Sequence, residues 1–507
     1  MPPSPAPSPT PGGFTISGRA TYDFVPARAN GIGLDYAATV ARPIRGATVW
    51  LVDADDLFIA EATTDADGNY QLTTTTARPM FVRVYAEIFR SDGAPGGGRN
   101  ITVRDNTAFD ALYQLQGAVF TPAAAATTQN LHAASGWGGS SYTGPRVAAP
   151  FAVLDVAYAA QAKVASVSTV DLPTLFIAWS PSNRAIDGDV TAGEIGASRY
   201  ENPVSIYLLG AADADTDEYD RHVVARELGS WLQTALSRDV VLEGTHGSAD
   251  RLDMVDAFSH GWATAWAAML LDDPVFTNAS GAGQAGGSAV NLGTAPAANR
   301  GWYAEASVAH LLWAAHQTSG IGYAPIHQAF VALAQAPTFP SIYSFTAALK
   351  ARAPAAAATI DGLWAGQNVV AQDAYGAGES NNGGSAANLP VYKTHVAALG
   401  ATQNYCVNGS NGTPNKLGNR VYIRFGFSGT RTITATRISS TGNALTDPDF
   451  RLITAAGEQD FALSGDPDEE VLPDVALPAG THVMALYDYN MLDSGSSGTS
   501  CFDVRVD

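Results

Sequence analysis

The stretch that decides how the central region is interpreted is HVVARELGSWLQ, residues 222–233. The acidic run just before it, AADADTDEYD, suits the start of a helix, because carboxylates favour the positive end of the helix dipole. Helical spacing then places His222, Arg226 and Ser230 on one face, each one turn from the next. Glu227 lies beside Arg226 in the same helix. The functional prediction depends on what this polar face can do.

Composition sets outer limits on fold and function. The chain has 507 residues, which predicts about three domains at roughly 150 residues each. It is 46% hydrophobic and 15% charged, as globular proteins are. A net charge of -20 argues against nucleic-acid binding, since phosphates would repel this surface. No run of about 18 apolar residues occurs, so the sequence predicts no transmembrane helix.

The chain begins with MPPSPAPSPTPGG, residues 1–13, which is too rich in proline and serine to pack and predicts an extended tether. Such tethers often follow the lipidated or cleaved N-terminus of a bacterial surface protein. We therefore expect a mature or trimmed chain, secreted or held at the bacterial cell surface. The sequence predicts no signal peptide at its start, and the alternative is a cytosolic protein with a flexible N-terminal end.

Residues 14–118 predict an all-β domain. Apolar and polar residues alternate on both sides of a turn at residues 65–69, and PMFVRVYAEIF follows as another strand. The acidic turn could bind calcium, or it could only close a hairpin with Gly68 in the left-handed conformation. The glycine-rich stretch at residues 134–146 lacks phosphate-loop spacing and is interpreted as a connector.

Residues 119–383 predict a mainly helical domain with a small sheet. FAVLDVAYAAQAKVAS has apolar residues three and four apart, which indicates an amphipathic helix. Two strands, TLFIAWS and VSIYLLG, come before the stretch quoted above. Further helices are predicted at DRLDMVDAFSHGWATAWAAMLLDD, GWYAEASVAHLLWAAHQ, APIHQAFVALAQA, SIYSFTAALKARA and AAATIDGLWAGQNVV.

Residues 384–507 predict a second β-sandwich after a linker, YGAGESNNGGSAANLP. Cys406 and Cys501 could be two buried thiols, or one disulfide that joins the start of this domain to its last strand. Two acidic loops, LTDPDF and SGDPDEE, could bind calcium or could be solvated turns.

The helix at residues 222–233 has the frame of a metal-binding motif without the ligands. A zinc-peptidase helix carries H-E-x-x-H, in which two histidines bind the metal and the glutamate is the general base. Here the frame is Arg226 to Ser230, and only Glu227 matches. In the gluzincin branch a second helix supplies a glutamate in the pattern E-G-[FW]-A; the stretch HGWA matches except that His260 replaces that glutamate.

Three stretches together resemble one group of secreted bacterial zinc-metallopeptidase-like proteins. They are DTDEYDRHVVARELGSWLQTALSRD, GTHGSADRLDMVDAFSHGWATAWAAMLLDDPVF and GWYAEASV, and the likeness covers nearly all of residues 14–507. The resemblance implies a zincin-like α+β domain at 119–383. It also implies a carboxypeptidase-regulatory-like β-sandwich before that domain and a prepeptidase C-terminal-like β-sandwich after it.

Carried over to this chain, the three zinc-ligand positions are Arg226, Ser230 and His260, and all three depart from the pattern. Arg226 cannot ligate a cation because its guanidinium stays protonated. Without zinc the attacking water is not acidified, so Glu227 has no water to activate. We therefore expect no metal and no hydrolysis, with Arg226 paired to Glu227 or another carboxylate. The leading prediction is a catalytically inactive, metallopeptidase-like protein with a binding, adhesive or structural role.

Two other functions stay open at this stage. A zinc site rebuilt from His222, His246 and His260, with Glu227 as base, would give an active peptidase. Alternatively, the chain could be a self-assembling subunit of a cell-surface layer or filament. The binding partner is unknown.

The stretch GWYAE adds two further candidates. In an active relative Tyr303 could stabilise an oxyanion and Glu305 could orient a ligand. Both could equally be structural remnants in this chain. His310 and His316 lie among apolar residues, and we expect them to pack in the interior.

Overall fold

The computed structural model describes residues 13–91, 98–240, 242, 244–442 and 445–507. The segment predicted as a tether lies, apart from Gly13, outside the described residues. The chain forms two compact units, one within Met1–Trp231 and Val275–Val290, and the other within Leu232–Pro274 and Asn291–Asp507.

The strands before the second unit's β domain are β1 (Phe14–Phe24), β2 (Val40–Pro43), β3 (Thr48–Asp53), β4 (Phe58–Thr63), β5 (Asn69–Thr74), β6 (Met80–Tyr85), β7 (Glu87–Ser91), β8 (Gly98–Asp105), β9 (Ala111–Leu112), β10 (Gln114–Gln116), β11 (Ala126–Thr128), β12 (Leu131–Ala133), β13 (Leu175–Trp179), β14 (Arg199–Glu201), β15 (Ser205–Leu208), β16 (Gly210–Ala211), β17 (Asp215–Thr216), β18 (Val275–Ser280) and β19 (Gly286–Asn291). The remaining strands are β20 (Tyr392–Thr394), β21 (Thr402–Asn408), β22 (Arg420–Phe425), β23 (Gly429–Thr441), β24 (Pro448–Ile453), β25 (Gln459–Ala462), β26 (Glu469–Leu477), β27 (His482–Asp488) and β28 (Thr499–Val506).

The α-helices are α1 (Ala149–Ala165), α2 (Arg221–Leu236), α3 (Met254–Leu271), α4 (Glu305–Gln317), α5 (Tyr323–Ala332), α6 (Ile342–Arg352), α7 (Ala357–Ala365) and α8 (Tyr489–Ser494). Short 3-10 helices lie at Tyr36–Ala38, Val190–Ala192, Ala282–Gln284, Leu333–Gln335, Pro354–Ala356 and Ala386–Asn388. None of the helices among the described residues is long and apolar enough to cross a bilayer.

The first unit is rich in sheets, as the alternating sequence predicts. One sheet is built around β1, which pairs with β2, β5, β11 and β12, and another has the order β10-β6-β3-β4. The turn before β5 closes on itself, because Asp65 Oδ1 accepts hydrogen bonds from the backbone N–H groups of Asp67 (2.9 Å) and Asn69 (2.8 Å). Gly68 has a φ of +80°, so the left-handed glycine is present as expected. The hairpin prediction for this turn is wrong, because β4 pairs with β3 and β5 pairs with β1, so the turn joins strands of two different sheets.

Strand pairing in the first unit crosses residue 118, where the sequence suggests a domain boundary. β11 and β12 pair in parallel with β1, and β8 pairs in parallel with β13. The sheet that contains β13 has the order β14-β15-β13-β8-β7, with β9 beside β8. The central sheet is therefore larger than the sequence suggests, because strands from before residue 118 belong to it.

The second unit contains a β-sandwich-like domain and the helices α3 to α7. Its two sheets have the orders β20-β22-β27-β24-β25 and β21-β28-β23-β26. Between them lies an apolar core that includes Ile423, Phe450 and Phe502. The coarse prediction of a multidomain chain with β-sandwich-like domains is confirmed. The zincin-like assignment of the central residues and the three-domain division stay predictions.

Two local features position α3 and α4. Asp253 caps α3, since its side chain accepts a hydrogen bond from the backbone N–H of Val255 at 2.9 Å. Gly261 lies where α4 approaches most closely, and a Cβ there would stand 2.6 Å from the Val308 side chain. A residue with a side chain at this position would force the helices apart. The N-terminus of α4, with Glu305, therefore lies close to α3.

Cys406 and Cys501 form a disulfide, so that interpretation of the two cysteines is confirmed. They are directly opposite each other in the antiparallel pair β21–β28 and are 95 residues apart in sequence. The bond thus closes nearly the whole β-sandwich-like domain into one loop.

We predict that C406S/C501S lowers the free energy of unfolding by about 2–4 kcal/mol, because the unfolded chain gains the entropy of a long open loop. Urea unfolding of the full chain measures this change. Dithiothreitol should destabilise the wild type to the same extent and leave the double variant unchanged. An identical midpoint for oxidised and reduced wild type would contradict the prediction.

Candidate functional site

The polar face of α2 carries an ion pair between two neighbouring residues. Arg226 Nη1 donates to Glu227 Oε1 at 3.0 Å, so the expected pairing of these two residues is present. The second carboxylate oxygen of Glu227 accepts a hydrogen bond from the backbone N–H of Tyr200 at 2.7 Å. Ser230 Oγ lies 3.4 Å from the Arg226 carbonyl oxygen, to which it donates.

In this arrangement both carboxylate oxygens of Glu227, the residue at the predicted general-base position, accept hydrogen bonds. Glu227 is 4% exposed, and each of its oxygens already has a partner. A general base must reach a water molecule within about 3 Å. The guanidinium of Arg226 also places a positive charge 3.0 Å from this carboxylate, which disfavours the binding of a further cation there. Among the described residues, each oxygen of the buried Glu227 carboxylate therefore already has a hydrogen-bond donor.

A cluster of buried acids precedes α2. Asp217, Glu218 and Asp220 are each at most 1% exposed. Glu218 is paired with Arg146, so the stretch interpreted as a connector supplies a buried ion pair. Burial, followed by the neighbouring carboxylates, raises the pKa of Asp217 well above its usual value, and the same causes raise the pKa of Asp220.

The raised pKa values of Asp217 and Asp220 predict that the stability of the protein depends on pH. Each has a higher pKa in the native protein than in the unfolded chain, so the native state holds more protons above pH about 4. The free energy of unfolding should therefore fall as the pH rises from about 4 toward neutrality and above. Asp220→Asn removes one of the two charges and should reduce this loss.

Urea unfolding at pH 5 and pH 8 measures the effect. The midpoint of the wild type should be lower at pH 8, and the difference should shrink in D220N. The exposed Asp55 offers a control, since D55N should behave as the wild type. Equal wild-type midpoints at the two pH values would show that these carboxyl groups do not control stability.

The second site lies on α3 and in the loop before it. His246, Asp256 and His260 bring one potential ligand atom each to within 4.8 Å of the others, the one such group among the described residues. His260 Nε2 is 3.4 Å from Asp256 Oδ1, and His246 Nδ1 is 4.0 Å from Asp256 Oδ2. The two imidazole rings have centroids 4.3 Å apart. Two of the three histidines of the rebuilt set thus lie together.

Neighbouring polar groups hold the side chains of this cluster in place through close polar contacts. Glu305 Oε2 lies 2.9 Å from His246 Nε2, and Glu305 Oε1 accepts a hydrogen bond from Thr264 Oγ1 at 3.0 Å. Asn415 Nδ2 donates to Asp256 Oδ2 at 2.9 Å. Glu305 thus contacts His246, and its role in orienting a ligand stays a prediction.

The other candidate residues predicted from the sequence make packing or hydrogen-bond contacts within the fold. His222 is buried, and its ring centroid lies 5.4 Å from that of Phe276. The hydroxyl of the buried Tyr303 lies within hydrogen-bond distance of the Arg300 carbonyl oxygen (3.2 Å) and Asn381 Oδ1 (3.1 Å). His310 Nδ1 is 2.7 Å from the Leu292 carbonyl oxygen. None of these contacts assembles a reacting group.

The sequence interpretation missed Asp256. The residue lies four positions before His260, and this spacing places two side chains on one helix face. This spacing could have identified Asp256, whereas the zinc-peptidase motif specifies only position 260. The position of His246 beside them follows from the loop before α3, which the sequence does not specify.

Comparison with known proteins leaves the family open. No family model matches the chain, and no curated protein matches it. Among solved structures, it is similar to the pre-peptidase C-terminal domain of a Bacillus anthracis collagenase, at 10% identity over 23% of this chain and 94% of that one, with a TM-score of 0.17.

Two further solved structures resemble parts of the chain. One is PliG of Aeromonas hydrophila, a periplasmic inhibitor of g-type lysozyme, at 13% identity over 23% of this chain and 96% of that one, TM-score 0.16. The other is a putative carbohydrate binding protein of Pseudomonas aeruginosa, at 12% identity over 24% of this chain and 88% of that one, TM-score 0.15. Each likeness covers about a quarter of the chain, so the resemblance to metallopeptidases stays a prediction.

Proposed function

We propose that the protein is a catalytically inactive, metallopeptidase-like protein that binds an extracellular partner instead of cleaving it. The observation that carries this proposal is the ion pair between Arg226 and Glu227. In the motif that α2 resembles, the arginine position is a zinc ligand and the glutamate activates the metal-bound water.

The electrostatics of α2 favour this interpretation. The guanidinium has no lone pair to offer a metal, and it stays charged at every physiological pH. Removing Arg226 alone would leave the buried Glu227 without its cation, which is costly in a partly desolvated site. The pair therefore stabilises the fold in the place where an active enzyme would hold zinc.

The disulfide supports an extracellular location. Such bonds persist in secreted and surface proteins and are rare in the reducing cytosol. The net charge of -20 favours solubility and disfavours nucleic acid as the partner. A protein or another cell-surface component is the class of partner that remains.

Hydrolysis of fluorescein-labelled casein, with and without added zinc, tests the inactive state. We expect the full chain to release no more fluorescence than buffer, because Glu227 has no metal-bound water to activate. A zinc peptidase assayed in parallel shows that the substrate is competent.

Two glutamine variants make this test specific. E227Q removes the glutamate of the old motif, and E194Q removes another ion-paired glutamate of the first unit, which contacts Arg184 at 2.6 Å. Chelator-sensitive hydrolysis that disappears in E227Q and persists in E194Q would overturn the proposal. Activity that is equal in all three proteins would indicate a contaminating peptidase and leave this chain inactive.

A further inference from the structure

We propose that His246, Asp256 and His260 bind one zinc ion, with ligands that come from α3 and the loop before it and not from α2. This inference goes beyond the proposed function and does not rest on it, because a zinc site can serve binding or stability without hydrolysis. The three side chains belong to one compact unit of the chain.

The contact with Glu305 defines which atom of His246 would bind the metal. Its Nε2 lies 2.9 Å from Glu305 Oε2, within hydrogen-bond distance of that carboxylate. The other ring nitrogen, Nδ1, is on the side of Asp256, 4.0 Å from Oδ2, and is the atom available to a metal there. A histidine ligand whose second nitrogen donates to a carboxylate is a recurring arrangement in zinc proteins.

The spacing of the ligand atoms suits zinc. Two ligands at about 2.0–2.1 Å from a tetrahedral zinc are about 3.3–3.4 Å apart. His260 Nε2 and Asp256 Oδ1 are 3.4 Å apart, which equals that edge. His246 Nδ1 and Asp256 Oδ2 are 4.0 Å apart, too far for a hydrogen bond and wide enough to admit an ion after a small inward shift.

The charges and the supporting contacts also suit a dication. Asp256 and Glu305 carry two formal negative charges, which balance those of Zn²⁺. Asn415 holds Asp256 in place, and Thr264 does the same for Glu305. Lys416 Nζ donates to the Thr245 carbonyl oxygen at 2.8 Å and lies 3.5 Å from Asp250 Oδ2. Two imidazoles with carboxylate oxygen are ligands that favour zinc and other divalent transition metals over calcium.

The exposure of the three side chains indicates an open coordination position. The Asp256 side chain is 4% exposed, that of His246 is 12% exposed and that of His260 is 31% exposed. Solvent therefore reaches the cluster from the side of His260. Three protein ligands leave a fourth position for water, or for a carboxylate or imidazole of a bound partner.

Zinc chloride added to the metal-free full chain tests the site by isothermal titration calorimetry, with bound metal counted by elemental mass spectrometry. We expect one zinc per chain in the wild type and a loss of at least 10-fold in affinity in H246A and in H260A. E305Q should retain one zinc with weaker affinity, because Glu305 positions His246 without contacting the metal.

Two controls separate this site from others. His132 is an exposed histidine of the first unit, so H132A should bind zinc as the wild type does. H222A should also bind normally, since His222 lies outside the cluster. Cobalt(II) gives an independent readout that does not depend on unfolding. A tetrahedral visible spectrum should appear in the wild type and vanish in H260A, whose side chain is the most exposed of the three.

The outcomes distinguish the two proposals. No saturable zinc binding, or binding that survives in H246A and H260A, would overturn the zinc site. Binding lost in E227Q and kept in H260A would place the ion at α2, which would overturn both proposals. Zinc binding as predicted, together with zinc-dependent casein hydrolysis, would overturn only the inactive function.

Discussion

Two carboxylates buried in the first turn of α3 constrain the second unit of the protein. Asp253 and Asp256 are 2% and 3% exposed, and an unpaired charge at that depth would cost several kcal/mol. Asp253 receives hydrogen bonds from Val255 N and from Tyr422 in β22, and burial raises its pKa. Asp256 is met by Asn415 and by two histidines. The loop before α3 and the β-sandwich-like domain thus both supply partners to the N-terminal end of α3. The arrangement of the metal ligands results from the need to pair these two buried carboxylates.

The first unit also contains a buried carboxylate, but its partners are of a different kind. Glu227 is also buried, and a guanidinium and a backbone amide satisfy it. An arginine is a permanent cation, whereas zinc binding is reversible and depends on supply. Glu227 thus has an arginine as its partner, whereas Asp256 lies beside two histidines, one of which contacts Glu305.

Local sequence signals predicted the helices well, and nonlocal pairing was harder to foresee. Helical periodicity predicted α1, α4 and α6 to within a few residues at each end. It missed β18 and β19, since these short strands lack a clear alternation and follow directly from a long helix. The run PMFVRVYAEIF was interpreted as one strand, but β6 and β7 lie in different sheets on either side of Ala86. Parallel pairs such as β8–β13 join distant segments, and no local pattern encodes such a choice of partner. At the site, His260 is predicted from its position in the stretch HGWA, and His246 only as a member of the rebuilt histidine set; Asp256 is not predicted.

Anomalous diffraction at the zinc edge, from crystals grown with zinc, tests the central claim most directly. The account predicts one strong peak between His246, Asp256 and His260, with the Arg226–Glu227 pair intact and no peak beside it. A peak beside Glu227, with Arg226 displaced, would contradict the account and restore the α2 motif as a metal site.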